Sequence, residues 1–181
     1  MTFPELSSDR LIVSLDPYAR QFTSASHTNG HFVNQRGGFE IEDVAFDGTT
    51  RRVQRSSHVD LTLTGGHREA FADWARDFYA TAMQPADMER ELAAVEYPER
   101  IPAMMQLLED SEGNLWARHY KLTGTPGPET WTVYAPEGYL LGTLETPERL
   151  QVRQIGPDYL LGIWTDELEV RYVRKYAIEK P

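Results

Sequence analysis

The chain has 181 residues, a formal net charge of −10 and no cysteine. These figures exclude disulfides and thiolate metal sites, and they argue against nonspecific nucleic-acid or anionic-membrane binding, which needs a basic surface. A hydrophobic fraction of 40%, with four Trp, nine Tyr and seven Phe, suits one folded domain rather than a disordered segment.

The start of the chain shows no basic region followed by an apolar run, so no signal peptide is expected. No stretch approaches the roughly 20 apolar residues of a membrane span. Compartment is left open. Leu11–Leu15 reads as a short strand ended by Asp16-Pro17. Phe22–Ser26 reads as another. Asn29-Gly30 is a hairpin signal, because both residues tolerate positive φ. Gly37-Gly38 breaks the chain, Phe39–Phe46 alternates as a strand covered on both sides, and Asp47-Gly48 predicts a second hairpin into Thr49–Gln54. The cluster Arg51, Arg52 and Arg55 reads as a solvated strand face.

The period then changes. Phe71, Trp74, Ala75, Phe78 and Ala82 fall on one face of an amphipathic helix. Pro85 suits the first turn of a second helix that would bury Met88, Leu92 and Val95. Residues 66–97 therefore form a helical insert. Strand patterns resume at Met104–Leu108, Leu115–Tyr120, Trp131–Tyr134, Tyr139–Leu144, Leu150–Ile155, Tyr159–Trp164 and Val170–Ile178, with a Gly/Pro/Thr loop at 123–129.

Several turns share a form, an acidic residue and then Gly between apolar strands: Phe46-Asp47-Gly48, Asp110-Ser111-Glu112-Gly113 and Pro136-Glu137-Gly138, with Ile155-Gly156-Pro157-Asp158 as a looser relative. Grouping the strands gives units near 18–56, 101–145 and 149–178. Their size matches four-stranded propeller blades of about 40–45 residues. The expected fold class is mainly β: about three antiparallel blades of a partial β-propeller, with a helical insert, in a single domain spanning 1–181.

Three segments carry a family resemblance: Asp110-x-x-Gly113-Asn114-Leu115-Trp116-Ala117-Arg118, then Trp131 to Gly142, then Ile155-Gly156-x-Asp158-Tyr159-Leu160-Leu161-Gly162-Ile163-Trp164-x-Asp166-Glu167-Leu168-x-Val170. Over about residues 100–178 the chain resembles bacterial six-bladed β-propeller proteins of the NHL-like kind. Residues 10–56 resemble them less. The resemblance implies six blades and an exported protein, of which this chain would be the C-terminal half. It brings no catalytic residue.

A half-ring would leave open blade faces, so the expected partner is a second copy forming a homodimer, or a missing propeller half. Leu11–Leu15 reads either as a strand that would complete the last unit of a second copy or as the remnant of a lost blade.

No residue is assigned as catalytic, cofactor-binding or metal-binding, and no cofactor is called for. His27 and His31 flank a hairpin and lack a third ligand. Asp158, Asp166, Glu167 and Glu169 cluster without calcium-loop spacing, and read as turn residues that pair with Arg171 and Arg174 or cap strands. Trp116, Trp131, Trp164 and Tyr159 read as packing between blades. The expected function is a noncatalytic binding or scaffold module. Two alternatives differ in kind. One is a propeller hydrolase or lyase with a channel metal held by residues such as His31, Asp110, Asn114 and Asp166. The other is a truncated fragment without independent function.

Overall fold

A computed structural model describes residues 18, 23–34, 38–54, 60–122 and 125–178. Leu11–Leu15 and Arg55 lie outside these residues. Among the described residues, eleven strands and two helices follow in chain order. The first sheet is β1 (Thr23–His27), β2 (Gly30–Asn34), β3 (Glu40–Ala45) and β4 (Thr50–Gln54). Helices α1 (Gly65–Phe78) and α2 (Pro85–Ala93) come next. The second sheet is β5 (Met104–Glu109), β6 (Leu115–His119), β7 (Glu129–Tyr134) and β8 (Leu140–Thr146). The third is β9 (Leu150–Ile155), β10 (Tyr159–Thr165) and β11 (Arg171–Ala177). Every pairing is antiparallel and joins strands adjacent in sequence, so each sheet is a meander. The mainly β, antiparallel reading of the sequence therefore stands, helices included.

The three sheets stack face to face, and the two cores lie between them. Phe32 and Ile41 of the first sheet pack against Met104, Leu107, Leu115, Ala117 and Tyr134 of the second. Trp116, Trp131 and Val133 of the second pack against Leu150, Val152, Ile155 and Leu160 of the third. The strand period of two explains how one strand serves both cores. On β6, Leu115 and Ala117 face one way and Trp116 the other. The middle sheet is thus covered on both sides, as its unbroken apolar runs require.

The helical pair has its own small core of Phe71, Ala75 and Met88, ringed by Trp74, Leu92, Tyr97 and Leu122. Thr64 caps α1: its hydroxyl accepts from the His67 N–H while the His67 ring accepts from the Thr64 N–H. Tyr18 donates from its hydroxyl to the His67 carbonyl and lies against Phe71, Tyr97 and Tyr120, which ties the pair to the sheets.

One hairpin geometry occurs four times. In each, the first residue of a five-residue turn donates to the carbonyl of the fifth, and the fourth donates to the carbonyl of the first. The turns are Ala45–Thr49, Asp110–Asn114, Ala135–Tyr139 and Asp166–Val170. The fourth position is left-handed each time: Gly48 at φ 86°, Gly113 at 83°, Gly138 at 93° and Glu169 at 62°. A type I turn closed by a left-handed residue matches the twist of the flanking strands.

Two turn expectations need correction. His27 pairs directly with Gly30, so the β1–β2 turn is Thr28-Asn29 rather than Asn29-Gly30. Gly30 is instead required inside β2, where a Cβ would overlap the Val44 carbonyl. The loose fourth relative at 155–158 closes differently, through the Gly156 N–H to the Tyr159 carbonyl. The true fourth member is Asp166–Val170.

Candidate functional site

The Trp116–Trp131 core does not run the whole length of the interface between the second and third sheets. At the end of β6 the same face presents Arg118, two residues on from Trp116, and beyond it lies Lys121. The third sheet answers with the β8–β9 connection, Glu148 and Arg149, and with the β10–β11 turn, Asp166, Glu167 and Glu169. Between them is an open cleft of about 570 Å³. Sequence reasoning passed over Arg118, Lys121, Glu129 and Arg149. The available signal was the switch from Trp to Arg along one face of β6, followed by a Glu at the start of β7.

Glu129 stands between the two bases of the second sheet. Its carboxylate is 3.9 Å from Arg118 Nη1 and 3.7 Å from Lys121 Nζ, outside hydrogen-bond distance of either. Lys121 donates instead to the Gly127 carbonyl. The Arg118 guanidinium lies 5.9 Å from the Trp131 ring centroid, mostly withdrawn from water, and its buried Nε has no hydrogen-bond partner. Burial lowers the pKa of Arg118, and Glu129 acts against that shift.

The rim is pinned by turns. Glu148 accepts from the Gly127 N–H at 2.9 Å. Arg149, at φ 61°, donates to the Asp166 carbonyl at 3.1 Å and accepts from the Thr165 N–H. Asp166 spends one carboxylate oxygen on the Leu168 and Val170 N–H groups. Glu167 and Glu169 are exposed on the third-sheet wall. Charges of both signs therefore gather around one cleft: Arg118 and Lys121 beside Glu129 on the second sheet, and Arg149 beside Asp166, Glu167 and Glu169 on the third.

A second polar cluster sits at the opposite end, between the first and second sheets. His27 lies 3.0 Å from Asp43 through Nε2, and its Nδ1 accepts from the Asn29 N–H at 3.3 Å. That places the ring proton on Nε2, donated to Asp43. Asp43 also accepts from Arg51, which reaches on to the Pro136 carbonyl. Both nitrogens of His27 are thus engaged, and the network is closed as a link between sheets. Beside it, burial raises the pKa of Glu109; His27 opposes the shift, and Asp110 and Asp43 add to it.

The sequence candidates are dispersed. His27 and His31 lie on opposite faces of the first sheet: His27 stacks on Phe32 against the core, while exposed His31 meets Ser26 and Phe46. Asp110 and Asn114 share one hairpin, and Asp166 lies at the far end of β10. The Asp110 carboxylate accepts from the Glu112 and Asn114 N–H groups, from Asn114 Nδ2 and from Trp116 Nε1. The acid thus braces its own turn and holds the buried indole, which ties Asp110 to Trp116 as one unit. Arg171 and Arg174, expected to pair with the acids at 158–169, form no ion pair with them among the described residues. Arg174 lies 3.5 Å over the Trp164 ring instead. Trp116 and Trp131 are core residues. Among the described residues, no group of three or more His, Asp or Glu is arranged to hold a metal ion, and no helix is long and apolar enough to cross a membrane.

Comparison with protein-family models, with curated proteins and with solved structures finds no match to this chain.

Proposed function

We propose that the chain is a noncatalytic binding module of propeller type, its three sheets acting as successive blades, and that it takes a small zwitterionic ligand in the cleft between the second and third. Support for the propeller reading comes from the meander sheets, the face-to-face stacking and the repeated hairpin. Face-to-face stacking of four-stranded meanders is how propellers bury their blades.

The ligand reading rests on one observation, the gathering of bases and acids around a single cleft. Arg118 and Lys121 offer donors to a carboxylate, and Glu167 and Glu169 lie where an ammonium group would be attracted. The partly desolvated setting of Arg118 strengthens such a contact relative to open solvent. Trp131 is buried, but its ring centroid lies 5.9 Å from the Arg118 guanidinium, so its fluorescence offers a reporter of changes at that side chain.

Isothermal titration with free amino acids tests this, with acetate and an alkylamine as single-charge controls. A saturable isotherm with the zwitterions that is lost in Arg118→Met is the expected result. Titrations in which the zwitterions bind no better than the controls, or bind Arg118→Met equally well, would refute the reading.

A further inference from the structure

The third sheet differs from the other two in one respect. The first and second sheets each cover their third strand, β3 or β7, with a fourth, β4 or β8. In the third sheet the corresponding strand is β11, and among the described residues nothing lies beyond it. Every residue of β11 except Tyr176 is exposed, with Val173 at 80%. By contrast Trp131, Thr132, Val133 and Tyr134 of β7 are all buried.

The register identifies which backbone groups are open. The β10–β11 ladder begins with the Asp166 N–H bonded to the Val170 carbonyl and ends with the Ile178 N–H bonded to the Asp158 carbonyl. In an antiparallel pair, alternate residues turn both backbone groups to the same neighbour. Tyr172, Arg174 and Tyr176 therefore bond to β10. Arg171, Val173, Lys175 and Ala177 direct their N–H and C=O groups outward, along the free edge. Their side chains share the outer face with Leu161 and Ile163, through the pairs Thr165–Arg171, Ile163–Val173 and Leu161–Lys175.

That edge has a charge pattern unlike the rest of this acidic chain. Arg171 and Lys175 flank Val173, and neither base has a carboxylate within ion-pair distance among the described residues. Lys175 rests 4.5 Å over the Tyr159 ring, which holds its ammonium on this face. The pattern basic–apolar–basic on alternate residues is complementary to acidic–apolar–acidic on an incoming strand.

We infer that the free edge of β11 binds an extended acidic segment of a partner protein, which adds to the third sheet as a fourth strand. A second copy of this chain fits less well. Neither the outermost strand of its first sheet, β4, nor its Leu11–Leu15 segment carries an acidic residue to meet Arg171 and Lys175. Main-chain bonds would supply affinity, and the Arg171–Val173–Lys175 row would supply the choice of sequence.

The test uses the full chain and a fluorescent peptide that alternates Thr with Glu, Val and Glu, read by fluorescence anisotropy. Saturable binding that weakens as salt rises is expected. Val173→Pro removes an outward N–H without touching the β10 ladder, and should weaken binding at least about tenfold while leaving the thermal midpoint nearly unchanged. Should that variant fail to fold, Arg171→Glu with Lys175→Glu serves, with a loss of roughly tenfold from two reversed cross-strand pairs. The inference is overturned if the peptide does not bind. It is equally overturned if a peptide with Lys in place of Glu binds as well, or if the folded edge variants bind unchanged. A two-chain mass for the wild type that Val173→Pro reduces to one would assign the edge to a second copy and overturn it too. None of these outcomes depends on the cleft, so this inference and the ligand reading fail separately.

Discussion

The residue with most at stake is Asp110. It is buried at 5% exposure, and its two oxygens accept from two backbone N–H groups, an amide and an indole. Bonds to an ionised acceptor are worth about 1.5–3 kcal/mol each, and orphaned donors add a desolvation cost. Asp110→Ala should lower the free energy of unfolding by about 3 kcal/mol or more, read from urea denaturation. Its neighbour Glu109 pulls the other way. Burial raises its carboxyl pKa, so folding favours the protonated acid. For a raised carboxyl the favourable contribution is present below the unfolded-state pKa and disappears as pH climbs through the folded value. Ionised Glu109 is then a cost at neutral pH. Glu109→Gln should raise the melting temperature at pH 7, with the gain fading as pH falls below about 4. Differential scanning calorimetry at both pH values checks the sign.

At the scale of elements, the recurring five-residue hairpin controls where strands start and stop. Three of its four left-handed positions are glycine, and the fourth is Glu169. A side chain in that region costs about 1 kcal/mol or somewhat more. Glu169→Gly should therefore stabilise the chain by about 1 kcal/mol in denaturant titration, with the fold unchanged. The same residue shows where the sequence stopped being legible. Turns with Asp-Gly or Glu-Gly were readable, because glycine at a left-handed position leaves a signature. The β10–β11 turn was expected as a turn, but with Glu in place of Gly it did not read as a member of the repeat. Strand positions and the helical pair were legible from their periods of two and 3.6, since those periods follow directly from which side faces a core. The cleft was not. Its charged residues come from β6, the loops at 121–129 and 148–149 and the turn after β10, and only the stacking of two sheets gathers them. Gly30 was misread for a related reason. Its need is a close approach to β3, a tertiary demand that looks like a turn signal in one dimension.

Across the whole molecule, the two outward faces of the stack are unlike. The first sheet turns Ser24, Ser26 and His31 outward together with Val33, Val44 and Phe46, on the side opposite Phe32 and Ile41. The third turns out Leu161, Ile163 and Val173 between bases. The internal interfaces are made largely of Trp, Leu, Val and Ile, whereas the first sheet's outer face mixes Ser and His with Val33, Val44 and Phe46. On that contrast we expect that a second copy does not stack on these ends, and that light scattering at micromolar concentration gives the mass of one chain. A two-chain mass would restore the ring of two halves as the better description.

The covering of the middle sheet on both sides has a consequence for how the stack comes apart. Each outer sheet has one neighbour, whereas the middle sheet has two, and Leu115 and Trp116, adjacent in sequence, belong to different interfaces. Loss of either outer sheet would expose one whole side of β6 and β7 to water. The stack behaves as a short one-dimensional array whose stability lies in its junctions. Opening then proceeds inward from the ends, and the amides of β6 and β7 are the last to exchange with solvent.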